Sequence, residues 1–165
     1  MAAPRWLNDE EQELWRLILA AIRRLERGMD DVLQQDSDLS SSEFSVLVVL
    51  SEAEGRQVRL RDLCNELEWD RSRASHQITR MERRGLVAKK KCADDARGVL
   101  VELMDDGMRR LETAAPAHVE SVRRMVFDRL SQDDQSYLRN LLTTAMAAES
   151  EGVCLSGVVP GGLTQ

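Results

Sequence analysis

Apolar residues at Leu14, Ile18, Ala21, Leu25, Met29 and Val32 recur at intervals of four, three, four, four and three, which predicts one long helix from about Asn8 to Gln35. Ser40, Ser41 and Ser42 supply a helix start before Glu43, and Phe44, Leu47, Val48 and Leu50 carry a second, shorter helix toward a stop at Gly55. Val58 and its neighbours predict a brief strand, and Leu60, Leu63, Cys64 and Leu67 a short third helix. After a break at Trp69, Asp70 is placed to cap a fourth helix that reaches Arg84 and stops at Gly85. Leu86 to Cys92 then reads as a strand, 93–98 as a turn, and Val99 to Leu103 as a second strand with Val99, Val101 and Leu103 on one face. A fifth helix is expected from Asp105 to Arg129 on Met108, Leu111, Val119, Val122 and Val126, with a kink at Pro116. Ser131 and Asp134, at capping-box spacing, open a sixth that continues through Leu138, Leu141, Leu142, Ala145 and Met146. Residues 151–165 have no helical period and are expected to form an irregular tail.

Composition agrees with a mainly helical chain. Of 165 residues, 42% are hydrophobic and only 4% aromatic, a balance suited to one domain built from Leu, Ala, Val and Met and helped by pairing with a second copy. Charge changes the picture more. The chain carries a formal net charge of -6, yet 71–97 holds nine basic residues and three acidic ones, including all three lysines of the protein. An acidic body with one basic segment suits a protein that presents one surface to a polyanion.

The fourth helix gives that segment a chemistry. At 100° per residue Ala74, Ile78 and Met81 share a narrow arc, while Arg73, His76, Gln77, Arg80 and Arg84 fall on another side. Arg suits guanine edges and Gln adenine edges, so Arg73, Ser75, His76 and Gln77 are candidate base readers. Ser72 and Ser75 lie near the helix start, where unpaired N–H groups favour a phosphate. Arg71, Ser72, Arg80, Arg84, Lys89, Lys90 and Lys91 are candidate phosphate contacts, although consecutive strand residues alternate faces, so at most two of the lysines can point the same way. Arg97, alone at the tip of a turn, is suited to a narrow minor groove.

The stretches "DRSRASHQITRMERRGLV", Asp70 to Val87, and "DDARGVLVELMDDG", Asp94 to Gly107, resemble the recognition helix and wing of the MarR family of transcriptional regulators, and the likeness extends from Leu14 to Met146. The resemblance implies a mainly α fold with a small β-wing, a winged helix-turn-helix flanked by N- and C-terminal dimerisation helices. It divides the chain into an N-terminal dimerisation helix (1–39), a DNA-binding lobe (40–104), C-terminal dimerisation helices (105–150) and the tail (151–165). It implies a homodimer on a pseudo-palindromic operator in double-stranded DNA, commonly a repressor relieved by a small aromatic effector, with Asp95 bracing Arg97 in the wing; the unpaired cysteines and the lack of a signal-peptide pattern or long apolar run make a cytoplasmic protein the expectation. Two positions depart from the family pattern. Arg59 stands where Thr or Ser often precedes the third helix, and Met104 replaces a common Thr, which leaves the cap of the fifth helix to Asp105.

Trp15, Arg16 and His118 are candidates for the effector crevice that the resemblance implies. Cys64, Cys92 and Cys154 are odd in number with no CxxC pair, so neither a disulfide framework nor a zinc site is suggested. Cys92, beside the lysines, is a candidate redox switch in the wing. An enzyme is not expected, because no nucleophile motif, Gly-rich phosphate loop or paired carboxylates occur. No metal, no cofactor and no membrane segment is expected. A winged-helix adaptor that binds a protein through its basic face is the competing class.

Overall fold

Local side-chain caps decide where the helices begin. In the computed structural model, which describes residues 4–91 and 98–149, Asn8 and Glu11 close a reciprocal capping box at the start of α1 (Asp9–Ser37), and Ser40 and Glu43 do the same for α2 (Ser41–Glu52). A 3-10 turn at Glu54–Arg56 leads into β1 (Gln57–Arg59). Next comes α3 (Leu60–Glu66), where Arg59 offers no side-chain cap, as its departure from the family pattern predicts. Asp70 caps α4 (Arg71–Arg83) by accepting the Arg73 N–H at 2.8 Å. Gly85, at φ +72°, then turns the chain into β2 (Val87–Lys91).

The strand β3 (Val99–Leu103) begins and ends at the predicted residues. It is central in a three-stranded antiparallel sheet of order β1-β3-β2, with Val58 opposite Val101 and Lys89 opposite Val101 on the other side. The helix α5 (Asp105–Met125) follows and continues through Pro116. Two expectations need correction here. The Met104 carbonyl accepts the Met108 N–H at 3.0 Å, so Met104 holds the capping position and Asp105 is the first residue of the helix. The helix also stops at Met125, because Val126 leaves helical geometry (φ -122°, ψ -72°) before a separate 3-10 turn at Phe127–Arg129.

The chain divides into two units between Arg123 and Arg124. In the first, Leu33, Leu39, Leu47, Leu50, Leu63, Ile78, Met81, Leu86 and Val101 are sealed from solvent and join α1 through β3 into one core. Each such side chain contributes about 1.5–3 kcal/mol relative to leaving it in water. Of α1, only Leu33 is fully buried, while Leu14, Trp15, Leu17, Ile18 and Ile22 remain exposed along its first half. The second unit holds α6 (Gln132–Glu149), which opens on the predicted capping box: Ser131 Oγ and N–H both donate to Asp134 (2.6 and 3.0 Å), and its carboxyl is held below its ordinary pKa by those bonds. Leu141, Leu142 and Met146 on α6 are exposed.

Candidate nucleic-acid interface

The core decides which side of α4 faces outward. Ala74, Ile78 and Met81 are buried, as their shared arc predicts, which turns Arg71, Ser72, Arg73, Ser75, His76, Arg80 and Arg83 to solvent. The face is cationic, and Arg71, His76, Arg80 and Arg83 have no side-chain partner among the described residues. Arg73 is held differently. Its guanidinium lies over the ring of Trp69, 4.6 Å from the centroid, so a flexible side chain is given a fixed direction at the start of the helix.

Two members of the predicted face sit elsewhere. Gln77 is half-buried, and its Nε2 is enclosed without a hydrogen-bond partner. Arg84, expected on a phosphate, is instead held half-buried by two carboxylates. Its Nη1 donates to both carboxylate oxygens of Glu43 (2.7 and 2.9 Å), and its Nη2 to the carbonyl and carboxylate of Asp38 (2.6 and 2.7 Å). Glu43 is 3% exposed, and a buried carboxylate without a cation would be costly, so the pairing keeps the Arg84 guanidinium on Glu43. Arg83 was missed, although it falls about 20° from His76 on the helix wheel.

The three lysines divide. The Lys89 ammonium pairs with Glu82 (2.8 Å) and donates to Thr79 Oγ1 (3.2 Å), and its backbone N–H also donates to Glu82 (3.1 Å). These bonds fasten β2 to α4, and the Lys89 ammonium holds the Glu82 carboxyl below its ordinary pKa. Lys90 pairs with Glu102 across the sheet at 2.6 Å. Lys91, exposed at the end of β2, has no partner among the described residues. Exposed pairs of this kind are weak enough to be exchanged for a phosphate.

Beside the start of α4, Arg59, Arg61 and Arg71 line an open groove of about 430 Å³ together with Trp69 and Val99. Arg59 and Arg61 extend the cationic surface beyond α4. Neither is a phosphate candidate in the sequence, because they lie ten or more residues before the basic cluster and only the fold brings them alongside it. Asp95, Arg97 and Cys92 lie outside the described residues, as do Cys154 and the tail.

Trp15 and Arg16 are exposed on α1, where Arg16 bonds Gln12 at 3.3 Å. His118, on α5, lies against Phe44 with ring centroids 4.4 Å apart and planes tilted by 40°, and its Nδ1 is buried without a partner among the described residues. No hydrogen bond, ion pair or ring contact among the described residues joins His118 to either. Burial lowers the pKa of His118. Among the described residues no cluster of His, Cys, Asp and Glu could hold a metal ion, and no helix is long and apolar enough to cross a membrane.

Comparison with known proteins agrees with the fold at length. A model of the MarR family matches residues 37–98. Sco3205, a MarR family transcriptional regulator from Streptomyces coelicolor crystallised in complex with DNA, is 36% identical over 94% of this chain and 97% of its own, with a TM-score of 0.84. AbsC, a MarR family regulator from the same organism, is 37% identical over 90% of this chain and 100% of its own, also at 0.84. MarR from E. coli, crystallised with operator DNA, shares the fold at 23% identity over 86% of this chain and 99% of its own, with a TM-score of 0.75. No match is found among curated protein sequences. With identity above a third along nearly the whole of two regulators, and a three-stranded wing sheet behind an exposed cationic helix, the chain belongs to the MarR family of winged-helix transcriptional regulators.

Proposed function

We propose that the protein is a homodimeric repressor that binds a pseudo-palindromic site in double-stranded DNA. In this reading residues 1–39 and 105–150 pair two copies, and 40–104 form the lobe that meets the duplex. The observation that carries it is the outward face of α4, where Arg71, Arg73, Arg80 and Arg83 stand exposed on a molecule of net charge -6. The crystallisation of Sco3205 in complex with DNA supports a DNA-binding reading. Arg73, Ser75 and His76 take base edges, and Gln77 does so once its amide turns outward. Arg71, Ser72, Arg80, Lys89, Lys90 and Lys91 hold phosphates, and Arg97, braced by Asp95, enters the minor groove. The exposed apolar residues of α1 and α6 supply pairing surfaces.

Relief by a small aromatic molecule near Trp15, Arg16 and His118 is the regulatory part of the proposal. The orphaned Nδ1 of His118 beside the Phe44 ring is the feature that favours it.

Selection of binding duplexes from random sequence tests the proposal. The expected winner has two-fold symmetry and half-sites about one helical turn apart, and its affinity falls with salt at a log-log slope of about -0.9 per phosphate contacted. A protein with no preference among duplexes and no salt dependence would instead be the adaptor.

A further inference from the structure

The commitment of Arg84 joins elements that otherwise meet little. The helix α4 packs chiefly on α3, α2 and β2. At its C-terminal end the Arg84 guanidinium crosses to Glu43 at the start of α2 and to Asp38 just beyond α1. Asp38 is not a passive partner. It stands in the left-handed region (φ 53°) as the C-cap of α1, so its carbonyl and its carboxylate both turn toward Arg84. The same carboxylate oxygen accepts Arg110 of α5 at 3.2 Å, and Arg110 also reaches the Ser37 carbonyl at 3.4 Å and Asp106 at 3.4 Å. One aspartate therefore sits between an arginine of the outward helix and an arginine of α5.

The chemistry favours a joint over a loose contact. Glu43 is buried, and removing its guanidinium would leave a desolvated charge, so Arg84 cannot swing away to a phosphate at low cost. The planar guanidinium offers one nitrogen to Glu43 and the other to Asp38, which fixes the direction of the last turn of α4 against two other helices. The Asp38 arms are more exposed and are the part that can open, since the Asp38 side chain is 76% accessible.

We propose that Arg84 is a positioning residue: it touches no DNA, sets the angle of α4 from the α1–α2 corner, and passes displacements of α1 or α5 to α4 through the carboxylate of Asp38. This rests on the reading of α4 as the helix that meets DNA. It also gives a physical route from an effector bound near α1 or α5 to the duplex, because any ligand that pulls Asp38 from either arginine changes how α4 is held.

The test uses the full chain, the selected duplex, a scrambled duplex, and the variants Asp38→Asn and Arg84→Gln. Asn tolerates the left-handed backbone and keeps the carbonyl, so Asp38→Asn removes only the charged arms. The expected result is that Asp38→Asn weakens the selected duplex about fivefold, with scrambled binding and the salt slope unchanged. Amide hydrogen exchange in the free protein is expected to quicken over both 80–86 and 105–112. Arg84→Gln should show the same pattern, more strongly. Equal losses on both duplexes with a slope reduced by about 0.9 would make Arg84 a phosphate contact and overturn the proposal. Unchanged exchange in Asp38→Asn would overturn it as well, whether or not DNA is bound. If exchange couples the two segments but the wild type prefers no duplex, the joint stands and the DNA reading of α4 fails.

Discussion

Arg73 and Arg84 are eleven residues apart on nearly the same line of α4, yet one stacks over Trp69 at the surface and the other is spent on Glu43. The difference was not legible from the helix itself. Spacing fixes which residues share a direction, whereas the partner of Arg84 lies 41 positions earlier and meets it only when α2 packs. Gln77 shows the same limit, since its position at the edge of the buried stripe turns an amide expected at base edges into a half-buried one. For Arg73 the prediction is direct: Arg73→Ala should cost roughly 1–3 kcal/mol on the selected duplex and relax choice at particular base pairs, whereas Lys91→Ala should weaken all duplexes alike. Binding assays on single-base variants of the selected site separate the two. His118 carries a pH prediction. Burial lowers its pKa in the fold from the ordinary 6.5, so the unfolded chain takes up the proton first, and the stability present above that value is lost as pH falls toward the folded pKa. Melting temperature should therefore drop more steeply below neutral pH in the wild type than in His118→Gln, and parallel curves would show that the ring is not desolvated.

Elements that depend on short-range chemistry were the ones readable in advance. Asp70 caps α4, Ser40 pairs with Glu43, Ser131 pairs with Asp134, and β3 runs between its predicted ends, because each signal is complete within a few residues. The end of α5 was not readable, since nothing in the composition of 126–129 breaks a helix. The start of α5 is set by tertiary space. A methyl group at Gly107 would collide with the Leu86 carbonyl oxygen and lie 2.9 Å from Leu103 Cδ1, while the same carbonyl accepts the Met104 N–H at 3.1 Å. Gly107→Ala should therefore destabilise the protein by about 1–3 kcal/mol, seen as a lower urea midpoint. A variant as stable as the wild type would mean that the wing base moves aside freely.

For the whole molecule, the uncovered apolar residues matter more than any single contact. Leu141 and Leu142 on α6 stand 62% and 53% exposed, and Leu17 on α1 65%, apolar area of the kind that marks interaction surfaces. If the proposed dimer forms through these helices, the double variant Leu141→Glu, Leu142→Glu should sediment as a monomer at concentrations where the wild type sediments as a dimer, and should lose binding to a symmetric site while keeping its fold by circular dichroism. The lysine run has a consequence at this scale too. β2 is a rim strand, bonded to β3 on one side only, and a rim strand is a template on which another chain can extend the sheet. That edge is already blunted, since the Lys89 backbone N–H is taken by Glu82 and Lys91 stands charged and without a partner among the described residues. In the proposed reading, the lysine at the end of β2 that meets a phosphate also makes growth of the sheet from that rim unfavourable.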